Sequence, residues 1–84
     1  MKIEFSNQSS KFLKRLDKKL LLRIFNKLEI LKENPIPSDA KFIRRENNEK
    51  VFRIRIGKIR VLYKIKKTEK VILVSKIDKR ERVY

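Results

Sequence analysis

The sequence specifies an α+β fold: an N-terminal helical hairpin packed on one face of an antiparallel-rich sheet of about four strands, in the order β-α-α-β-β-β. Three stretches carry that reading. Residues 51–65 alternate apolar and polar side chains on either side of the chain's only glycine, as two strands joined by a tight turn must. Residues 20–31 repeat large aliphatic side chains at three- and four-residue steps, the pattern of a helix with one buried face. Residues 71–74, Val-Ile-Leu-Val, are apolar without a break, as in a strand buried on both faces and therefore central. The 84 residues amount to one domain, expected to span 1–84, with room for a modest core.

In chain order, Lys2-Ile3-Glu4-Phe5 alternates and reads as a short first strand with Ile3 and Phe5 facing in. Ser6, Asn7, Ser9 and Ser10 are helix-capping types, and Phe12, Leu13 and Leu16 follow at helical spacing, so a first helix is expected near 7–17. Asp17 marks a break or a cap before the second helix. There Leu20, Leu21, Ile24, Phe25, Leu28 and Leu31 form the apolar stripe, while Arg23, Lys27, Glu29, Lys32 and Glu33 take the other side. Asn34-Pro35 ends it, because a residue before proline is pushed out of helical backbone angles. Pro35-Ile-Pro-Ser-Asp39 is a connector. Phe42 and Ile43 are expected to tuck under the sheet edge, and Arg44 and Arg45 are left open between structural, solvated and phosphate-binding roles. Asn47-Asn48 makes a turn into the hairpin.

In the hairpin, Phe52, Ile54 and Ile56 share a face with Ile59, Val61, Tyr63 and Ile65. Tyr63 is therefore a core residue. Gly57-Lys58 is the turn, with glycine where positive φ is needed. The opposite face carries Arg53, Arg55, Arg60 and Lys64, with no acidic residue in the hairpin among them. Like charges on adjacent strands destabilise a sheet, so such a cluster points to a polyanionic ligand. Lys66-Lys67-Thr68-Glu69-Lys70 is a polar turn before the last strand.

Net charge is +15, of which +9 falls in residues 51–84 and +6 in residues 1–50. That balance favours nucleic acid, or an acidic protein, as partner. A membrane surface fits less well, because the basic density peaks in strands rather than on an amphipathic helix. Cysteine and histidine are both absent, which removes disulfides, thiolate metal sites and the side chain that titrates near neutrality; neither cofactor nor metal is expected. Met1 is followed by no apolar run like a signal peptide, and no stretch reaches membrane-spanning length, so a cytoplasmic location is expected.

The run Phe52-Arg-Ile-Arg-Ile-Gly-Lys-Ile-Arg-Val-Leu-Tyr63, followed by a strand and by Lys79-Arg80-Glu81-Arg82-Val83-Tyr84, resembles the RelE/ParE toxin superfamily. The likeness covers the chain in length and element order. Its tail is similar to the RelE branch. The resemblance implies the toxin of a toxin–antitoxin pair, silenced by a small acidic antitoxin of RelB type. RelE-type members enter the ribosomal A site and cut mRNA without metal, the substrate 2′-hydroxyl attacking the adjacent phosphate, which inhibits translation. ParE-type members inhibit DNA gyrase.

By the same resemblance, Arg60 and Arg80 match arginines that contact the scissile phosphate, and Tyr84 matches a terminal tyrosine at the substrate. Arg53 and Arg55 align with two lysines. With Arg55 in the catalytic set, proton transfer passes to Lys58, Lys79 or Tyr84, or catalysis rests on electrostatics, because arginine does not give up its proton. Arg53, Lys58, Lys64, Lys79 and Arg82 are the RNA-binding candidates. Three functions compete: a ribosome-dependent mRNA endoribonuclease, a gyrase inhibitor, and a catalytically inactive nucleic-acid-binding member of the fold.

Overall fold

The computed structural model describes residues 1–79, so the expectations placed on Arg80, Arg82 and Tyr84 lie outside the described residues. The elements are β1 (Lys2–Phe5), α1 (Asn7–Leu13), α2 (Lys18–Glu33), β2 (Lys41–Glu46), β3 (Glu49–Ile56), β4 (Ile59–Lys66) and β5 (Val71–Lys79). The strands form one sheet in the order β1-β5-β4-β3-β2. β1 runs parallel to β5, and the other neighbours are antiparallel.

The expected α+β class holds, with five strands in place of about four. The added strand is β2, at the sheet edge. Its register shifts between Phe42 and Arg44, so residues 41–46 show no clean alternation in sequence. Phe42 does not tuck under the edge. It stands 49 % exposed and meets Phe52 edge-on at 5.8 Å between ring centroids. Glu46 secures this strand by accepting from Arg44 Nε at 2.6 Å and Lys64 Nζ at 2.9 Å, which ties β2 across β3 to β4.

Both helices start on side-chain caps. Ser6 Oγ accepts from the Ser9 amide at 3.1 Å, and Asp17 Oδ1 accepts from the Leu20 amide at 2.9 Å. Leu13 of α1 and Ile24, Leu28 and Leu31 of α2 are buried against Ile54, Ile56, Ile59, Val61, Tyr63, Ile65, Ile72, Val74 and Ile77. Every hairpin position assigned to the core in sequence is there. Each such side chain contributes about 1.5–3 kcal/mol relative to exposure. Both turns behave as their sequences require: Asn47 and Asn48 have φ of 52° and 65°, and Gly57 has φ of 59°. A Cβ on Gly57 would also meet the Arg23 guanidinium at 3.3 Å.

Side chains at the start of α1 stitch it to β5. Ser6 Oγ donates to the Ser75 carbonyl at 2.9 Å and Ser9 Oγ to the Val74 carbonyl at 3.0 Å. Beyond the end of β1, the Gln8 amide takes over as a strand would: it donates to the Ile77 carbonyl at 2.8 Å and accepts from the Ile77 amide at 3.0 Å. Between these anchors β5 carries a bulge. Register with β4 shifts between Leu62 and Tyr63, with Ser75 the extra residue. Val74 and Ile77, three apart, therefore both face the core, and Asp78 comes to the opposite face in register with Arg60.

Tyr63 stacks on Phe52 at 5.9 Å between ring centroids and donates its hydroxyl to the Pro35 carbonyl at 2.6 Å. Burial, with a smaller contribution from Asp39, raises its phenol well above the usual range. Removing that hydroxyl with Tyr63→Phe is expected to lower unfolding free energy by about 1–2 kcal/mol in a denaturant titration, with the far-ultraviolet spectrum unchanged. The Glu46 carboxyl is held below its ordinary value, first by Lys64 and then by Arg44. A lowered folded value means that its contribution is present above the unfolded value and lost as pH falls through the folded one. Melting temperatures of the native chain and Glu46→Gln are expected to differ at neutral pH and to converge as pH falls below the ordinary glutamate range.

Candidate nucleic-acid interface

The sheet face away from the helices is built from cross-strand rows, since partners in register share a face. Arg55, Arg60 and Asp78 form one row across β3, β4 and β5. Lys41, Arg53, Leu62 and Lys76 form the next, across β2 to β5. Then come Arg44, Val51, Lys64 and Leu73. The far end of the face holds Glu46 in register with Glu49, and Lys66 with Val71.

These rows divide electrostatically. At the far end each of three cations has a carboxylate partner: Lys64 and Arg44 share Glu46, and Lys66 binds Glu49 at 3.3 Å. Val51 lies on this face, in register with Arg44 and Lys64, and is nevertheless buried. In the first two rows Arg53, Arg55, Arg60, Lys41 and Lys76 stand against one described carboxylate, Asp78. Arg60 meets it through two bonds, Nε to Oδ1 at 3.2 Å and Nη2 to Oδ2 at 3.1 Å. Lys76 Nζ lies 3.9 Å from Oδ2. Arg53 Nε is enclosed with no hydrogen-bond partner among the described residues, a costly arrangement.

The sequence-derived site is thus partly assembled and partly dispersed. Arg53, Arg55 and Arg60 come together, with Arg55 and Arg60 directly opposite each other. Lys64 does not join them: it is held at the matched end by Glu46 and is 17 % exposed. Lys58 is exposed in the turn after Gly57. Lys79 is in register with Ile59 and so falls on the helix-covered side of the sheet, away from Arg60. The expectation of a basic face lacking carboxylates is corrected, because Glu46, Glu49 and Asp78 arrive from outside residues 51–65. A cavity of about 440 Å³, lined by Arg45, Asn48, Lys50, Lys66 and Thr68 among others, lies by the turns at the matched end and not at the arginine rows.

Sequence reasoning missed these three carboxylates. Glu46 and Glu49 flank the Asn47-Asn48 turn, and that position offers a signal: residues bracketing a two-residue turn face each other across the strands. For Asp78 the only signal is the spacing of Val74 and Ile77, which breaks strand alternation.

Residues 3–84 match the family described as ParE toxin of type II toxin-antitoxin system, parDE. A relative named "Putative toxin RelE1", from Methanocaldococcus jannaschii, is 36 % identical over 83 residues, covering 98 % of this chain and 92 % of its own length. The archaeal RelE–RelB complex from Pyrococcus horikoshii contains a similar chain with a TM-score of 0.86 and 27 % identity, over 98 % of this chain and 97 % of that one. The Escherichia coli RelBE toxin–antitoxin complex matches in fold, with a TM-score of 0.75 and 19 % identity over 93 % and 94 % of the two chains. Matched along nearly its whole length in sequence and in fold, the chain belongs to the ParE toxin family of type II toxin–antitoxin systems, within the RelE/ParE superfamily.

Proposed function

We propose that this chain is the toxin of a RelBE-type pair and acts in the cytoplasm as a ribosome-dependent mRNA endoribonuclease that uses the substrate 2′-hydroxyl and no metal. The observation that carries the reading is the pair of arginine-rich rows, where Arg55 and Arg60 oppose each other beside Arg53. Directly opposed like charges cost stability. Asp78 offsets part of that cost by taking the Nε and one Nη2 donor of Arg60, and a backbone phosphate at the Nη1/Nη2 edge would offset more.

In the proposed reaction the 2′-oxygen bonds to the adjacent phosphorus, the bond from phosphorus to the 5′-oxygen breaks, and a 2′,3′-cyclic phosphate and a 5′-hydroxyl result. The 2′-hydroxyl gives its proton to a base and the leaving oxygen takes one up. Arg60, with Arg55 and Arg53 beside it, stabilises the charge that builds on the phosphorus oxygens, for which a planar guanidinium is well shaped. None of the three serves as base, because arginine stays protonated. Lys79 lies on the other side of the sheet from Arg60, so proton transfer falls to Lys58, to Tyr84 in the tail, or to the ribosome, which also aligns the RNA.

Support for an antitoxin partner comes from the charge of +15 and from α2, where Leu22, Phe25 and Ile30 are 63 %, 41 % and 51 % exposed. An acidic antitoxin that covers these side chains complements both features. The family's name keeps gyrase inhibition as the second reading.

Added to a translation extract, the protein is expected to cut mRNA at the A site; full synthesis from intact message would remove the nuclease reading. Arg60→Ala is expected to reduce cutting about 100- to 1000-fold, as for loss of one transition-state donor, while melting as a folded protein. In a DNA supercoiling assay gyrase is expected to run at its normal rate, and inhibition at stoichiometric toxin would promote the second reading.

A further inference from the structure

Asp78 is the one described carboxylate in the rows where cations otherwise gather, and it holds Arg60 in a particular way. A guanidinium offers five N–H donors in a plane. Asp78 takes two of them, the Nε–H and one Nη2–H, along the side edge of the group. The fork formed by Nη1 and Nη2 is not used by this pairing. The geometry points to Asp78 as the positioning residue for Arg60, fixing its side edge and turning the Nη1/Nη2 fork to phosphate oxygens of bound RNA. This inference rests on the nuclease reading of the same face.

Pre-ordering is the physical gain. An arginine side chain has many rotamers, and whatever binds a loose one must first order it. Here the order is supplied beforehand by a partner that is itself held firmly. The bulge at Ser75 turns Asp78 onto the arginine face. The Gln8 amide grips both backbone groups of Ile77, the residue before it. Arg60 and Asp78 are only 16 % and 21 % exposed, so water competes weakly for their contact. Asp78 acting instead as a stand-in for phosphate, displaced when RNA arrives, fits less well: two of five donors are occupied, and the backbone that carries the carboxylate is anchored.

Separate measurements of cutting, binding and side-chain order test this. Asp78→Asn is expected to slow A-site cutting in a translation extract about tenfold or more. Its binding to a short 2′-O-methyl RNA, which resists cleavage, is expected to be unchanged or tighter in fluorescence anisotropy, because a negative charge has gone. Asp78→Glu should restore part of the cutting. In arginine nitrogen NMR of the native protein, the Arg60 Nε–H should stay protected from exchange when that RNA is added, while the Nη signals shift. Cutting by Asp78→Asn as fast as the native protein or faster, or an Arg60 Nε–H that loses protection on RNA binding, overturns the inference and makes Asp78 a competitor of RNA. No binding of the RNA at Arg60 overturns it as well. A native protein that shifts the Nη signals on binding yet leaves message intact removes the nuclease reading alone, and the positioning of Arg60 stands on the NMR.

Discussion

The attachment of β5 is the constraint on which the rest of this structure depends. One strand joins the first residues of the chain to the hairpin, lying parallel to β1 on one edge and antiparallel to β4 on the other. A parallel pairing cannot be closed by a short turn, so its contacts span most of the sequence. Ser6, Ser9 and Gln8 reinforce it, spending helix-start side chains on β5 backbone groups rather than on the helix alone. The same bonds fix the site. Without the bulge that they flank, Asp78 would point to the helices, and Arg60 would lose its partner.

Ion pairs on the open face matter for placement more than for stability. Even partly shielded, each sets what it gains by attraction against the loss of water around two charges, so their net worth is a small share of what the buried aliphatic groups contribute. Their consequence is where the charge is left over. Glu46 and Glu49 pair with Arg44, Lys64 and Lys66, so two carboxylates offset most of the charge of three cations and weaken that end of the sheet as a ligand surface. Arg53, Arg55 and Arg60 gather at the other end, beside the end of β5, with Asp78 in register. A face that looks uniformly basic along one hairpin is in fact divided into an end that holds Glu46 and Glu49 and an end that gathers arginines around Asp78.

What was legible in the sequence was local. The alternation of residues 51–65, the stripe on α2 except for Phe25, which stands exposed, the Ser6 and Asp17 caps and the Asn47-Asn48 and Gly57 turns all depend on neighbours within about one turn of helix or one hairpin, and each appears in the structure. β2 was hidden because its bulge cancels the period of two. The carboxylates were hidden for a different reason. Asp78 meets Arg60 across 18 residues of sequence and Glu46 meets Lys64 across a strand between them, and charge composition within the hairpin carries no trace of either. Lys79 shows the same limit from the other side: it adjoins Asp78 in sequence, yet strand alternation sends it to the opposite face.

On the proposed reading, arginine at 53 and 55 changes what the protein contributes to catalysis. A lysine in a crowd of cations can lose its proton and take part in transfer; an arginine there remains charged across the whole working range. The described site therefore provides fixed positive charge, with Asp78 keeping at least one group in place. Fixed charge lowers a barrier only if the reacting oxygen and phosphorus are already in line, since it neither moves a proton nor reshapes RNA. Alignment must then come from the surface on which the RNA is presented. That is the physical reason to expect such a chain to work on the ribosome and to leave free RNA largely uncut.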